Sequence, residues 1–206
     1  MIHIFKYGAP SFVDGHNKEE NFQKFKKYGN HTSVEANIDK YEATMIKDNQ
    51  RGNIYVVDPE LLDFIHHMHL TPQGLVDIDN KYKSERPVFD SSFQPDPFSD
   101  SINNWVSKDT EGGVTFAGSF VQYLTWIWNM RISYPHSVIL LADDDVKNAF
   151  RLVKNNPAVV GMHGFVACKH LAFCTGMTFG NLYSPKNFDP LACSGLNTIR
   201  RMAVDE

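Results

Sequence analysis

The segment that most restricts the fold of this chain is residues 137–151, which read SVILLADDDVKNAFR. Residues 137–142 are rich in Val, Ile and Leu, and such a short apolar run is typical of a buried strand. The run ends on three consecutive carboxylates, Asp143, Asp144 and Asp145, and a helix-compatible segment follows. Open α/β folds hold their sites at the carboxyl ends of strands. The segment therefore predicts a strand that carries acidic side chains to a sheet edge.

The three adjacent carboxylates have two interpretations. Carboxylates this close repel one another and shift each other's pKa values unless a cation shares them, which favours a divalent metal site. Asp residues also accept hydrogen bonds from backbone N–H groups in turns and at helix starts, so an Asp-rich helix cap is equally compatible. This segment alone leaves both interpretations open.

Composition limits the classes of protein to which the chain can belong. With 206 residues, 42% of them apolar, the chain can bury a core of ordinary size as one domain or one and a half. No run reaches the roughly 18 uninterrupted apolar residues of a membrane helix. The first ten residues, MIHIFKYGAP, lack the apolar segment of a signal peptide. We therefore expect an intracellular protein that is not secreted and has no membrane partner.

Charge and cysteine content further limit the kinds of partner that the chain can bind. The net charge of −4 gives no general attraction to nucleic acid, so such a partner needs a local basic face, for which residues 18–27 and 81–86 are candidates. The chain has three cysteines: Cys168, Cys174 and Cys193. Their odd number and unpaired spacing predict no disulfide partner. Cys168, His170 and Cys174 could ligate zinc, but no fourth ligand is evident, and burial as small apolar side chains is favoured.

Hydrophobic periodicity predicts three helices. The first ends at Gly29, the second begins at residues 58–59 and extends through His69, and the third, at 115–132, has the apolar spacing of a buried amphipathic helix. On the second helix, His66 and His69 lie near one face without an acidic partner in the same turn. We expect them to be solvated or at the edge of the core.

Strands and loops are predicted from alternation and turn residues. Residues 54–57 and 86–92 are strand-like, and residues 159–173 fit a hairpin. Residues 93–113 are rich in Pro, Ser, Asp and Gly, which predicts a long exposed loop.

Two motifs in the second half of the chain resemble a known family. Residues 145–150, DVKNAF, resemble the first palm motif of reverse transcriptases, in which an Asp is followed by three variable residues, Ala and an aromatic residue. Residues 179–188, FGNLYSPKNF, resemble the second palm motif, and their start lies 34 residues after Asp145, close to the family's separation. Upstream, residues 86–90 (RPVFD) resemble the fingers strand with its Arg and Asp, and residues 101–104 (SINN) resemble the loop that follows it.

The resemblance implies the reverse transcriptase domain of a retroelement (retrotransposon) polyprotein. The implied fold is α+β: the fingers and partial palm of a right-hand polymerase, with the palm sheet packed on helices. It covers residues 75–192, between a poorly defined N-terminal region (1–74) and a truncated C-terminal tail (193–206). The implied activity is metal-dependent nucleotidyl transfer by an RNA-directed DNA polymerase, whose partners are an RNA or DNA template–primer and deoxynucleotides.

The resemblance also assigns roles to metal ligands. Asp145 becomes the catalytic ligand of the Mg²⁺ (or Mn²⁺) pair, with the Val146 carbonyl beside it. Asp143 lies on the same strand face, about 6–7 Å away by strand geometry, and can contribute as a second metal ligand.

Four further residues become nucleotide-binding by the same resemblance. Phe150 lies under the incoming sugar and excludes a 2′-hydroxyl group. Arg86 lies on the triphosphate, while Phe179 and Gly180 flank the nucleotide and template.

One departure from the family pattern affects the expected activity. The family places its other catalytic carboxylates on a downstream Tyr-x-Asp-Asp hairpin, and residues 194–206 contain no such motif. We therefore expect this polypeptide alone to be an inactive fragment. A non-enzymatic remnant of a retroelement gene is a variant of the same interpretation.

A different enzyme class also fits the acidic segment. The Asp-x-Asp strand end formed by Asp143 and Asp145 resembles that of nucleotide-sugar glycosyltransferases, where the acids hold Mn²⁺ and the diphosphate. Such an enzyme places a nucleotide-binding βα unit before this strand, and residues 1–100 contain no clear one.

Overall fold

The computed structural model describes residues 2–9, 18–58, 68–81, 85–105, 117–139, 146, 149–189 and 191–192. These residues form a mixed α+β structure with two small antiparallel sheets. The expected α+β class is confirmed.

Within residues 2–9 and 18–50 the structure has four helices: α1 (Ile2–Tyr7), α2 (Lys18–Tyr28), α3 (Thr32–Glu35) and α4 (Ile38–Gln50). In α2, Glu19 and Glu20 occupy the first turn and two lysines the last, which complements the helix dipole at both ends. Gly29 follows with a φ of 76°, the left-handed conformation that commonly ends a helix. The predicted helix end at Gly29 is confirmed.

Later helical segments are α5 (Ala117–Ser133), α6 (Ala149–Leu152), residues 183–189, and the 3₁₀ helices Ile102–Trp105 and Pro157–His163. The second 3₁₀ helix begins at a proline, and the Asn156 side chain caps it by accepting from the Ala158 N–H at 2.9 Å.

The described residues contain five strands: β1 (Ile54–Val57), β2 (Gln73–Val76), β3 (Arg86–Phe89), β4 (Gly164–Ala167) and β5 (His170–Cys174). One antiparallel sheet has the order β1-β5-β4, and β2 pairs with β3 in the other. In the β4–β5 hairpin, Cys168 and Lys169 have φ values of 48° and 72°, as a two-residue hairpin turn with right-handed strand twist requires. The predicted strand at 54–57 and the hairpin are confirmed. The strand predicted at 86–92 ends at Phe89, and residues 157–163 are 3₁₀ helix instead of strand.

The core lies between the sheets and the helices α3 and α4. Its largest cluster consists of Val34, Tyr41, Met45, Ile54, Leu75, Phe89, Phe165, Ala167, Ala172 and Cys174. Phe165 packs edge-on against Phe89, with ring centroids 5.4 Å apart, and so joins the two sheets. Strand β1, from the predicted N-terminal region, pairs with β5 from the predicted fingers and palm region.

A buried polar network lies within this core. The Tyr41 hydroxyl donates to the Gln73 Oε1 and lies 3.1 Å from the Val166 carbonyl oxygen, and burial raises the pKa of Tyr41. Asn30 connects the same elements, because its Oδ1 accepts from the Gln73 N–H at 2.9 Å and its Nδ2 donates to the Val166 carbonyl at 2.8 Å. The network fixes α4 against one strand from each sheet.

Replacing Tyr41 by Phe is expected to lower the free energy of unfolding by about 1–2 kcal/mol, because the buried Gln73 Oε1 loses its donor. Urea denaturation measures this change. The matched control is Tyr55→Phe on β1, where the side chain is 60% exposed, and we expect a change within about 0.5 kcal/mol. Equal changes in the two variants would contradict a role for the Tyr41 hydroxyl in stability.

The expectation of an exposed loop at 93–113 is wrong for part of its described portion, residues 93–105. Ser99, Ser101, Ile102 and Trp105 are buried. The cause is Asn21 on α2, whose Nδ2 donates to the Asp100 carbonyl at 2.7 Å and whose Oδ1 accepts from the Asp100 N–H at 3.0 Å. Loop backbone can be buried when a side chain satisfies its polar groups. Residues 106–113 lie outside the described residues.

The helix predicted at 115–132 is confirmed as α5, but its predicted burial is wrong. Large apolar side chains such as Val121, Trp126 and Trp128 are half exposed or more. Two residues apart on a helix are about 200° apart, so Trp126 and Trp128 occupy nearly opposite faces and a single layer cannot cover both. Among the described residues, no helix is long and apolar enough to cross a membrane.

The buried strand predicted at 137–142 is wrong for its described residues, 137–139, which are not in a strand and of which Val138 is 83% exposed; residues 140–142 lie outside the described residues. The helix predicted to begin at residues 58–59 lies largely outside the described residues, and Met68 and His69 at its end are not helical.

Candidate functional site

The aromatic side chains of the two motif segments contact each other. The ring centroids of Phe150, on α6, and Phe179 are 4.7 Å apart, with an angle of 58° between the ring planes. Phe188 also packs edge-on against Phe150, with ring centroids 5.8 Å apart. Phe150 is half-buried, whereas Phe179 is 59% exposed. The structure therefore brings together two of the residues predicted to bind a nucleotide.

The turn that follows Phe179 requires glycine. Gly180 has a φ of +92°, and a Cβ placed there would lie 2.2 Å from the Phe89 carbonyl oxygen. That distance is far below van der Waals contact, and the atom it meets belongs to the backbone of β3. Gly180 thus allows the turn to pack directly on the carboxyl end of this strand.

The Asn103 side chain also holds this turn. Its Nδ2 donates to the Gly180 carbonyl at 2.8 Å and to the Ser92 Oγ at 2.9 Å. Its Oδ1 accepts from the Leu182 N–H at 3.2 Å, and its own N–H donates to the Ser91 carbonyl at 3.1 Å. The sequence places Asn103 in a motif-like segment, but no pattern there indicates that its side chain bonds a backbone 77 residues away.

A set of buried polar side chains also holds the residues on both sides of Gly180. The Asn181 Oδ1 accepts from the Tyr183 N–H at 2.9 Å, and its Nδ2 faces the His163 Nδ1 at 3.4 Å. The Ser184 hydroxyl donates to the Thr178 carbonyl. Burial lowers the pKa of His163 to about 4, so the imidazole is neutral at pH 7.

The helix that carries Phe150 is anchored through its neighbour Arg151. The Arg151 Nη2 lies 3.3 Å from the Asp48 Oδ2 of α4, and both side chains are largely buried. Asn155 then fastens the chain beyond α6, since its Nδ2 donates to the Cys174 carbonyl at 3.0 Å and to the Gly176 carbonyl at 3.1 Å. These contacts fix α6 on α4 and on the end of β5.

Arg86, predicted to bind a triphosphate, lies at the start of β3. Its guanidinium donates to the Asp77 Oδ2, from Nε at 2.9 Å, and its side chain is 61% exposed. Strand geometry places it about 10 Å from Phe89, where the Gly180 turn packs. The guanidinium is accessible to an anion, which would compete with the Asp77 carboxylate for it.

The predicted metal ligands Asp143 and Asp145, together with Asp144, lie outside the described residues. Val146 is described, and its carbonyl accepts from the Ala149 N–H at 3.0 Å. Within the described part of the chain, no group of three or more His, Cys, Asp or Glu side chains could hold a metal ion. The metal site therefore stays a prediction from sequence.

The structure describes two of the three cysteines, both of which were predicted to be buried as small apolar side chains. Cys174 is fully buried in the core, where burial raises the pKa of its thiol to about 12. Cys168 lies half-buried in the hairpin turn. Both are free thiols, and no disulfide joins the described residues. Cys193 lies outside the described residues.

His69 differs from its expected position at the surface or core edge. It is 1% exposed and lies between the rings of Phe25 and Trp105, each with its centroid 4.9 Å away. Burial lowers its pKa to about 3, and the nearby His163 adds to the effect. The core-edge expectation is wrong for His69, and His66 lies outside the described residues.

Taken together, the site is a glycine turn with a partly accessible aromatic pair, close to the end of a strand whose other end carries an exposed guanidinium. An aromatic pair of this kind can pack against a sugar or base, and the guanidinium can bind phosphate. Neither a family model nor a curated protein sequence matches this chain.

Proposed function

We propose that the chain is a reverse-transcriptase-like domain of a retroelement, with fingers and palm segments of an RNA-directed DNA polymerase. The observation that carries the proposal is the 4.7 Å contact between the Phe150 and Phe179 rings. The two motif segments are separate in sequence, and each is a weak match alone. Their contact in space supports a single nucleotide site built from both.

In this proposal Phe150 and Phe179 form the wall of the site that faces the sugar and base of an incoming deoxynucleotide. The exposed part of Phe179 is free to meet a ligand, and Phe150 is held behind it by Phe188. Gly180 brings the backbone of the turn close to the nucleotide and template. Arg86 binds the triphosphate. Phosphate oxygens, which carry more negative charge, replace the Asp77 carboxylate as acceptors of the guanidinium hydrogen bonds.

The residues that would hold the metal are Asp145 and Asp143. Phosphoryl transfer depends on positioning and charge neutralisation, and a bound Mg²⁺ or Mn²⁺ pair supplies the charge. Asp145 lies five residues before Phe150 in sequence. A carboxylate ligand and the sugar-facing ring are thus expected on the same short segment.

The first test is nucleotide binding by the full 206-residue chain. We expect a fluorescent 2-aminopurine deoxynucleoside triphosphate to bind in the presence of Mg²⁺. Asp145→Asn is expected to weaken this binding by about tenfold or more, because one charge-assisted contact is lost. The control is Asp39→Asn, which removes an exposed carboxylate from the first turn of α4. Its affinity is expected to stay within about twofold of the parent chain.

Primer extension gives the complementary test. With no Tyr-x-Asp-Asp motif in its sequence, the chain is expected to extend no primer on an RNA template with Mg²⁺. Extension that disappears in Asp145→Asn would contradict the expected inactivity while supporting the family. Binding of a uridine-diphosphate sugar with Mn²⁺, without deoxynucleotide binding, would overturn the proposal in favour of a glycosyltransferase.

A further inference from the structure

We propose that Asn103 is a positioning residue that sets the discrimination between deoxynucleotides and ribonucleotides. The inference rests on the proposed function, since it concerns the same nucleotide site. The observation behind it is the set of hydrogen bonds that the Asn103 side chain makes; Asn103 is not itself part of the aromatic pair.

Every polar atom of the Asn103 side chain is used to join two segments. The Nδ2 donates to both the Gly180 carbonyl and the Ser92 Oγ, at 2.8 and 2.9 Å, and the Oδ1 accepts from the Leu182 N–H at 3.2 Å. The contacts to Gly180 and Leu182 fix two points on the backbone of the turn. The amide orientation is determined, because a flipped side chain would face the Gly180 carbonyl with an oxygen.

Two contacts hold the turn against β3 and the residues that follow it. The Gly180 backbone packs so closely on β3 that a Cβ there would be 2.2 Å from the Phe89 carbonyl oxygen. Asn103, whose own N–H donates to the Ser91 carbonyl, bonds the Gly180 carbonyl and the Leu182 N–H. Removing the Asn103 amide is therefore expected to loosen the turn, and Phe179, the residue directly before Gly180, moves with it.

A movement of Phe179 affects Phe150, the residue proposed to lie against the sugar. Phe179 packs against Phe150 at 4.7 Å, so the position of the Phe150 ring depends on Phe179 remaining in place. In the proposed site the Phe150 ring excludes the 2′-hydroxyl group. With Phe179 displaced, the Phe150 ring keeps its contact with Phe188 but loses that with Phe179, and this weaker support is expected to admit a ribonucleotide.

The effect is separable from a loss of folding. Asn103 is only half-buried, and the turn has independent buried hydrogen bonds, from the Tyr183 N–H to the Asn181 Oδ1 and from the Ser184 hydroxyl to the Thr178 carbonyl. The triphosphate end is also independent, since Arg86 lies three residues upstream of Phe89 on β3. Asn103→Ala is thus expected to change sugar recognition without changing the affinity for the triphosphate.

The experiment is a competition assay on the full chain with Mg²⁺. Bound 2-aminopurine deoxynucleoside triphosphate is displaced by dATP, by ATP or by inorganic tripolyphosphate. In Asn103→Ala, the preference for dATP over ATP is expected to fall by about fivefold or more, the equivalent of one or two hydrogen bonds. The affinity for tripolyphosphate is expected to change by less than about twofold. A general loss of structure would lower this affinity as well.

Three variants complete the design. Asn104→Ala is the matched control, because it removes the exposed neighbouring amide and is expected to keep the preference for dATP. Phe150→Ala gives the reference value for a site without sugar discrimination. Ser92→Ala removes one Asn103 partner without changing Asn103, and is expected to lower the preference by a smaller factor in the same direction.

The outcomes distinguish this inference from the proposed function. If the parent chain binds no deoxynucleotide, both fail. If the parent chain prefers dATP and Asn103→Ala keeps that preference, the inference is overturned while the proposed function stands. A parallel loss of affinity for dATP, ATP and tripolyphosphate also overturns it, because it shows a purely structural role. If Asn103→Ala does not fold, the Ser92→Ala variant decides, and an unchanged preference there overturns the inference.

Discussion

Replacing Gly180 by Ala is expected to lower the free energy of unfolding by about 3 kcal/mol or more. Two costs contribute. The first is conformational, because at a φ of +92° a residue with a Cβ is strained by about 1–2 kcal/mol. The second is steric, because the new Cβ would lie 2.2 Å from the Phe89 carbonyl oxygen. Since Phe89 pairs with Gln73 across the β2–β3 sheet, its backbone cannot move aside easily.

A matched glycine separates the two costs. Gly29 has a similar φ of +76°, but nothing lies within 4 Å of the position that a Cβ would occupy there. Gly29→Ala therefore has only the conformational cost, about 1 kcal/mol. Urea denaturation of both variants gives the steric cost as the difference between them. Equal losses of stability would show that the turn can leave the end of β3 freely, which would contradict the tight packing of this site.

The features that could be predicted from sequence are those with local causes. The end of α2 at Gly29, the strand at 54–57 and the hairpin around Cys168 and Lys169 follow from periodicity and turn chemistry within a few residues. The resemblance assigned Phe150 and Phe179 to one nucleotide site; their rings are in contact, and the nucleotide-binding role itself stays a prediction.

The features that could not be predicted depend on distant partners. Asn21 and Asn103 belong to no periodic pattern, yet each bonds a backbone 77 or 79 residues away in sequence. Asn21 explains why Asp100 and its neighbours are not an exposed loop. The amphipathic spacing of α5 correctly predicted a helix, but burial needs a second surface, which periodicity does not supply. The pairing of Arg86 with Asp77 likewise depends on how β2 and β3 align.

The free energy of unfolding is expected to fall by about 4 kcal/mol between pH 7 and pH 5, because of the buried histidines His69 and His163. Burial lowers their pKa values from 6.5 to about 3 and about 4. Below pH 6.5 the unfolded chain therefore binds protons that the folded chain does not. The stability contributed by neutral histidines is fully present above about pH 6.5 and is lost as the pH falls towards 4.

The geometry around each ring gives a second reason for the direction of the shift. The Nδ1 of His69 faces the Nδ2 of Asn21 at 3.4 Å, and the Nδ1 of His163 faces the Nδ2 of Asn181 at the same distance. Both amides are held in this orientation, because the Oδ1 of Asn21 accepts from the Asp100 N–H and that of Asn181 from the Tyr183 N–H. A proton on either Nδ1 would therefore meet an N–H donor.

Two variants test this origin of the pH dependence. In the parent chain the two histidines together give a slope of about 2.4 kcal/mol per pH unit between pH 5 and pH 6. His163→Gln is expected to reduce that slope by about half, because one of the two titrating groups is gone. Met162→Ala is the control, since it removes a buried neighbour without a titratable group and should lower stability equally at every pH. Measurements stay above pH 5, where paired carboxylates such as that of Glu85, whose pKa is lowered by its hydrogen bond with Lys40, remain ionised. A slope that His163→Gln leaves unchanged would show that other groups cause the loss of stability in acid.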